Sequence, residues 1–261
     1  MKIAVNGAAG AMGRRVVGAV ARAADCTLVA ALEFGGHPEL GSDAGLVAGQ
    51  GELGVPISDT LTAAPDVLID FSSPEAAAAR AHECAEAGAA LVVGTTGLSQ
   101  AQLAELNEDV AQRVPVLIAS NMSVGVNLLY RLIERVAGAL PAGYDIEIVE
   151  AHHRRKKDAP SGTALEMARR LRKALDRAED VMVYGREGAV GPRAPSEIGI
   201  HAVRGGDIVG DHTVIFAGEG ERLELTHRAT SRDVFAAGAL QAARFLVGKP
   251  AGVYSMADFI G

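Results

Sequence analysis

Tryptophan is absent from this 261-residue chain, and aromatic residues make up only 4% of it. So small an aromatic supply argues against a surface that stacks the bases of single-stranded nucleic acid. Positive charge is the minority sign, with 25 Lys and Arg against 32 Asp and Glu and a formal net charge of -7. Gripping a phosphate backbone needs a basic face, so no nucleic-acid partner is expected. No apolar run reaches the roughly eighteen residues of a membrane span, so no membrane partner is expected either. There are two cysteines, Cys26 and Cys84. They stand far apart without metal-ligand spacing and read as plain buried thiols. The opening segment, Lys2-Ile3-Ala4-Val5-Asn6, has a strand pattern. It lacks the charged start, apolar stretch and cleavage site of a signal peptide, which makes a reducing cytoplasm the expected location.

Hydrophobic residues make up 49% of the chain and charged ones, of both signs, 22%. That is enough to bury one large core or two small ones, and it does not fit a disordered chain. In the first half, strand-like runs at 2–6, 27–32, 67–70, 90–93 and 114–119 alternate with helical segments near 11–23, 75–87 and 99–112. Residues 35–54 are rich in glycine and read as a loop. Strands alternating with helices predict a parallel sheet covered on both faces. Beyond residue 123 the character changes. A helix at about 125–139, a strand at 144–150, a basic loop at 152–157 and a helix at about 162–178 precede three alternating runs at 197–204, 211–217 and 222–228. Clustered strands predict a mixed or antiparallel sheet. A last helix is predicted at about 233–247, and it is expected to return to the first domain.

Gly7-Ala8-Ala9-Gly10-Ala11-Met12-Gly13 follows the first strand and opens the first helix. Its G-x-x-G-x-x-G spacing is a variant of the dinucleotide fingerprint. Glycine allows the tight turn and close backbone approach to a pyrophosphate, and the helix N-terminus offers N–H groups to the anion. Glu33, at the end of the second strand, stands where a carboxylate accepts from the ribose hydroxyls of NAD. The alternative is that the glycines only turn the chain and Glu33 is an ordinary loop carboxylate. Phe34 cannot pair with a 2′-phosphate, which favours NADH, while Arg14 and Arg15 nearby keep NADPH open. Two more loops sit at strand ends, Gly94-Thr95-Thr96-Gly97 and Ala119-Ser120-Asn121-Met122. Each is either a nicotinamide contact or a simple turn. In Asp70-Phe71-Ser72-Ser73-Pro74, Ser73 reads as a cap for the helix starting at Pro74.

The segment 150–164 reads Glu-Ala-His-His-Arg-Arg-Lys-Lys-Asp-Ala-Pro-Ser-Gly-Thr-Ala. Its plain reading is a solvated basic loop. Against that, the chain is acidic elsewhere, and His beside Lys offers a proton donor near neutrality and a fixed cation. Pro160-Ser161-Gly162-Thr163 is a capped helix start, suited to a carboxylate. Two adjacent histidines could suggest zinc, but no further ligand lies at motif spacing, so no metal is expected.

At every fixed position this segment resembles the signature E-[LA]-H-H-x-x-K-x-D-A-P-S-G-T-A of the dihydrodipicolinate reductase family. The resemblance extends to 7–13, 41–45, 70–74, 94–97, 121–127, 204–212 and 226–232, nearly the whole chain. It implies an α/β fold with a Rossmann-type parallel-sheet domain, residues 1–123 completed by 233–261. A central α+β domain with a mixed sheet, residues 124–232, would bind substrate and build a homotetramer. Hinges near 122–126 and 230–233 would let the domains close. The implied reaction is NAD(P)H-dependent reduction of a cyclic dicarboxylate, 4-hydroxy-2,3,4,5-tetrahydrodipicolinate, with loss of water, in lysine biosynthesis. His152 matches the family's proton donor and acceptor, Lys156 its second proton donor, and His153, Gly162 and Thr163 its substrate-carboxylate contacts. The implied cofactor contacts are Gly7, Ala8, Ala9, Gly10, Ala11, Met12, Glu33, Gly94, Thr95, Thr96, Ala119, Ser120, Asn121 and Met122. Where the family has a basic residue after the acidic one, this chain has Phe34. Another two-domain dehydrogenase, such as an aspartate or homoserine dehydrogenase, would share the glycine loop and Glu33 but not the His-His-x-x-Lys run. A cofactor sensor without turnover would have no need of His152 and Lys156.

Overall fold

In β1 (Lys2–Asn6), Ile3 and Val5 pack into one hydrophobic cluster and Ala4 into a second on the opposite face. A strand buried on both faces needs helices on both sides, which is the condition of a parallel sheet. The structure, a computed structural model, describes residues 1–261. From β1 the chain runs through α1 (Gly13–Arg22) to β2 (Thr27–Leu32), then α2 (Ala44–Val47), β3 (Ile57–Ser58) and β4 (Val67–Asp70). α3 (Pro74–Ala87) leads to β5 (Ala90–Val93). α4 (Gln100–Glu105), a π-helical turn (Leu106–Val110) and α5 (Ala111–Arg113) lead to β6 (Pro115–Ile118). α6 (Val124–Ala139), β7 (Asp145–His152), α7 (Gly162–Ala174), β8 (Met182–Tyr184), β9 (Ile198–Arg204), β10 (Gly210–Gly218) and β11 (Glu221–Ala229) follow. The chain closes with α8 (Asp233–Leu246), β12 (Gly252–Tyr254) and α9 (Met256–Ile260).

Two compact units result, Met1–Val124 with Arg232–Gly261, and Gly125–Ser231. The first holds a seven-stranded sheet in the order β12-β6-β5-β4-β1-β2-β3, parallel throughout. Val16, Val17 and Val20 of α1 and Ala236, Ala239, Ala243 and Leu246 of α8 cover one face. Ala77, Ala81 and Cys84 of α3, with Leu106 and Val110, cover the other. Small alanines let the helices approach closely and bring apolar area out of water on both faces. The order of build reverses between β1 and β4, and ligands of open α/β sheets bind at the strand ends beside such a point.

The second unit holds a five-stranded sheet in the order β11-β10-β7-β9-β8. β10 runs antiparallel to β7 and β11, while β9 is parallel to β7 and β8, so the sheet is mixed. Ile146, Ile148, Ile198, Ile200, Val214 and Phe216 form its core with Val126, Leu129 and Ile133 of α6 and Met167, Ala168 and Leu171 of α7. Along β7 every second side chain is buried, ending with Glu150 and His152.

Several elements differ from the sequence reading. The loop at 35–54 contains α2, because the Asp43 carboxylate accepts from the N–H groups of Gly45, Leu46, Leu53 and Val55 and gathers the segment. The predicted helix at 99–112 is interrupted by the π-helical turn. α7 stops at Ala174, not near 178; Asp176 takes the left-handed conformation (φ 49°), and Arg177 N–H bonds back to the Arg172 carbonyl. β3, β8, β12 and α9 went unpredicted. Cys84 is buried, but Cys26 is only half-buried.

Candidate active site

In the first unit, two cavities lie around the ends of β1, β4, β5 and β6. Gly7 has a left-handed backbone (φ 74°), which glycine alone adopts without strain. A side chain there would lie 2.8 Å from the Phe71 carbonyl carbon, and one at Gly13 would lie 2.8 Å from Ala8 Cα. The loop is therefore packed backbone to backbone, with α1 starting directly behind it. No side chain caps that start, which leaves the positive helix end for an anion.

Gly7, Gly10 and Glu33 line one cavity with Phe34, His37, Asp59, Arg80 and Glu83. Glu33 Oε1 accepts from Ala9 N–H at 2.9 Å, tying the end of β2 to the glycine loop. Phe34 is 64% exposed, its ring edge-to-face with His37. Arg80 supplies the cation on this wall, but Glu83 accepts from its Nη1 at 2.7 and 2.8 Å. Sequence reasoning missed Arg80, whose only signal was its place on the helix after the third long strand.

A second cavity, of about 460 Å³, is lined by Met12, Gly94, Thr95, Thr96, Ser120, Asn121 and Met122, together with Phe71, Ser72, Arg232 and Phe235. Of the expected cofactor residues, Ala8 and Ala9 are buried, Ala11 is exposed on another groove, and Ala119 packs against the core. Beneath this cavity lies Asp70, wholly buried. Asn6 Nδ2 donates to it at 2.5 Å, Ser72 donates from its hydroxyl at 3.0 Å, and the Thr95 hydroxyl donates as well. Burial pushes the Asp70 carboxyl up, against these hydrogen bonds, which favour its charged form. Thr95 in turn accepts from Ser72 N–H at 2.8 Å. Ser73 caps α3, accepting from Ala76 N–H, with Pro74 in the first turn.

In the second unit, the basic loop starts one residue later than the sequence suggests. His152 ends β7, since β9 extends far enough to pair it with Arg204. Its ring is buried, Nδ1 lies 2.6 Å from Glu150 Oε2, and its plane is edge-to-face with His212 at 5.2 Å. Lys156 is half-buried, its Nζ 2.9 Å from Asp158 Oδ2, whereas Arg154, Arg155 and Lys157 are exposed. Ser161 caps α7 through its Oγ, which accepts from Ala164 N–H and lies 3.0 Å from His212 Nε2. Gly162 is exposed and Thr163 half-buried at that helix start, and His153 is half-buried in the loop. Burial and the neighbouring His152 push the His212 ring down to about 3, so it stays neutral. Glu150, Arg204 and His212 were not among the expected site residues. No group of three or more His, Cys, Asp or Glu side chains is placed to hold a metal ion.

Comparison with known proteins divides the chain near residue 124 as well, but its second part runs on through α8, β12 and α9. The family model for the dihydrodipicolinate reductase N-terminus matches residues 1–122, and that for the C-terminus matches 125–260. A 4-hydroxy-tetrahydrodipicolinate reductase of Anaeromyxobacter dehalogenans is 50% identical over 264 residues, covering 100% of this chain and 97% of the relative. Another of that name, from Syntrophotalea carbinolica, is 50% identical over 265 residues, covering 100% and 99%. Among solved structures, a dipicolinate-bound dihydrodipicolinate reductase from Paenisporosarcina sp. TG-14 superposes with a TM-score of 0.78 at 26% identity. It covers 98% of this chain and 97% of its own.

Proposed function

The chain belongs to the dihydrodipicolinate reductase family, and from that premise we propose how its residues divide the work. It catalyses the NAD(P)H-dependent reduction of 4-hydroxy-2,3,4,5-tetrahydrodipicolinate to tetrahydrodipicolinate with loss of water, in diaminopimelate and L-lysine biosynthesis. The observation that carries the assignment of residues is the fold of 150–164. This segment forms a strand end, a basic loop and a capped helix start within one unit.

We assign nucleotide binding to residues 1–123 with 233–261, and substrate binding to 124–232. The glycine loop has the shape to take a pyrophosphate, and Glu33 the ribose. Gly94, Thr95, Thr96, Ser120, Asn121 and Met122 would line the nicotinamide end. The bound nucleotide supplies the hydride. Loss of water from the substrate gives a conjugated imine, and hydride plus one proton complete the reduction. His152 and Lys156 provide the proton and a cation against charge developing on the ring. His153 and the α7 start at Gly162 and Thr163 hold the substrate carboxylate.

NADH is the preferred nucleotide in this reading. Glu33, Asp59 and Glu83 are acidic, Phe34 is neutral, and Arg80 is already paired. A 2′-phosphate would meet that acidic wall. A homotetramer would use the sheet face opposite α6 and α7, where Val203 is 48% exposed. No helix is long and apolar enough to cross a membrane, and a cytoplasmic location completes the proposal. Lys156→Ala tests it: turnover is expected to fall by about 10²–10⁴-fold while NADH still binds. Unchanged turnover would remove Lys156 from the chemistry.

A further inference from the structure

Glu150 has no solvent exposure, yet its carboxylate joins three segments of the chain, β7, the α7 start and β9. Oε2 faces His152 Nδ1 at 2.6 Å, and Oε1 accepts from Ser161 N–H at 3.0 Å. Arg204 closes the other side, Nη1 donating to Oε2 and Nη2 to Oε1, both at 2.7 Å. The same Nη2 donates to the Asp158 carbonyl at 2.7 Å, which pins the loop carrying Lys156. Burial alone would raise the Glu150 carboxyl, but the bonds from His152, Arg204 and Ser161 outweigh it and bring it down to about 2. An ionised carboxylate only accepts, so His152 Nδ1 must carry a proton. That leaves Nε2 as the nitrogen free to exchange one. A side chain at Gly210 would lie 3.1 Å from Nε2, so glycine there keeps the nitrogen uncrowded.

We infer that Glu150, clamped by Arg204, is a positioning residue for this reaction: it fixes the orientation and tautomer of His152 and, through Ser161 N–H, sets the helix start that takes the substrate carboxylate. The inference rests on the proposed role of His152 as proton donor. A purely structural ion pair would explain burial and stability. It would not explain why the two oxygens divide between the proposed proton donor and the proposed anion site. The His152 ring meets His212 from β10 edge-to-face, Arg204 from β9 shares its carboxylate, and His227 from β11 and Lys156 from the loop act on His212.

Glu150→Gln keeps the shape but removes the charge, and its one carbonyl oxygen cannot accept from both N–H groups. Its kcat is expected to fall about 10–100-fold, as when an orienting partner of a working histidine is lost. In nitrogen NMR the His152 ring should no longer be held as the single Nδ1–H tautomer, because the carboxylate that accepts that proton is gone. Affinity for dipicolinate, used as the dicarboxylate probe, should weaken, while that for NADH should not. Arg204→Lys keeps the charge but cannot bridge both oxygens and the Asp158 carbonyl. It should lose kcat with a smaller loss of the Nδ1–H tautomer, and it serves if E150Q does not fold. H152Q separates the two levels of inference. If H152Q loses turnover while E150Q retains it with the Nδ1–H tautomer of His152 intact, the positioning role is wrong and the reading of His152 stands. If H152Q itself turns over normally, both fall.

Discussion

Alanine at Gly13 examines the proposed nucleotide cradle at its tightest point. The new Cβ would overlap the Gly7 carbonyl oxygen and lie 2.6 Å from its carbon and 2.8 Å from Ala8 Cα. Non-bonded carbons need about 3.5 Å, so the loop and α1 must separate by at least about 0.9 Å. Gly7 cannot retreat, because its other side already abuts Phe71 and Ser72, the latter's Cα 3.0 Å from where a Gly7 side chain would sit. Overpacking of this kind costs about 3 kcal/mol at the upper end of its range. For a chain of this size that corresponds to a Tm loss of roughly 6–12 °C. Gly10→Ala is the control, since its Cβ would approach only the Gly7 oxygen, at 3.1 Å; its Tm should stay within a few degrees of the parent. Thermal unfolding followed by circular dichroism, with NADH titrated by fluorescence, reads both variants. A G13A protein that melts with the parent and binds NADH normally would refute the backbone-to-backbone packing of this loop.

Glu33→Ala removes the proposed ribose acceptor and the anchor of Ala9 N–H. Kd for NADH is expected to rise about 10–100-fold, the worth of hydrogen bonds to a charged group, with kcat at saturation little changed; an unmoved Kd would exclude the assignment. Phe34→Arg places a free cation at the rim of the same cavity, and the NADPH-to-NADH ratio of kcat/KM should rise by about tenfold. No change in that ratio would mean that position 34 does not meet the 2′ position. His212 has a folded-state value depressed to about 3 from an ordinary value of 6.5. Its contribution to stability is therefore full above pH 6.5 and lost as pH falls toward 3. Tm measured across that window should decline less steeply for His212→Gln than for the parent, and parallel curves would assign the acid loss to other groups.

The alternation of Val- and Ile-rich runs with helical segments made the parallel sheet legible, since burial on both faces leaves unbroken apolar strands. The mixed sheet was legible for the complementary reason, with one covered face and period-two patterning. β3, β8 and β12 are two or three residues long, too short to carry a period. Within the site, 150–164 is contiguous and carries its own loop and cap signals. Arg204 and His212 join it only through register, which pairs His152 with Arg204 across β9 and Glu150 with His212 across β10. Register comes from turn geometry and packing, not from residue type alone. Arg80 and Glu83 were hidden differently, as ordinary charged residues on a helix until the fold turned them toward Glu33 and Phe34.

The most direct measurement is nucleotide oxidation with substrate made in situ from pyruvate and aspartate semialdehyde by a purified synthase. Oxidation that requires both precursors, runs faster with NADH than with NADPH, and is lost in H152Q is the expected result. A folded protein that binds NADH yet oxidises neither nucleotide under those conditions would contradict the assignment of this site to the reductase reaction.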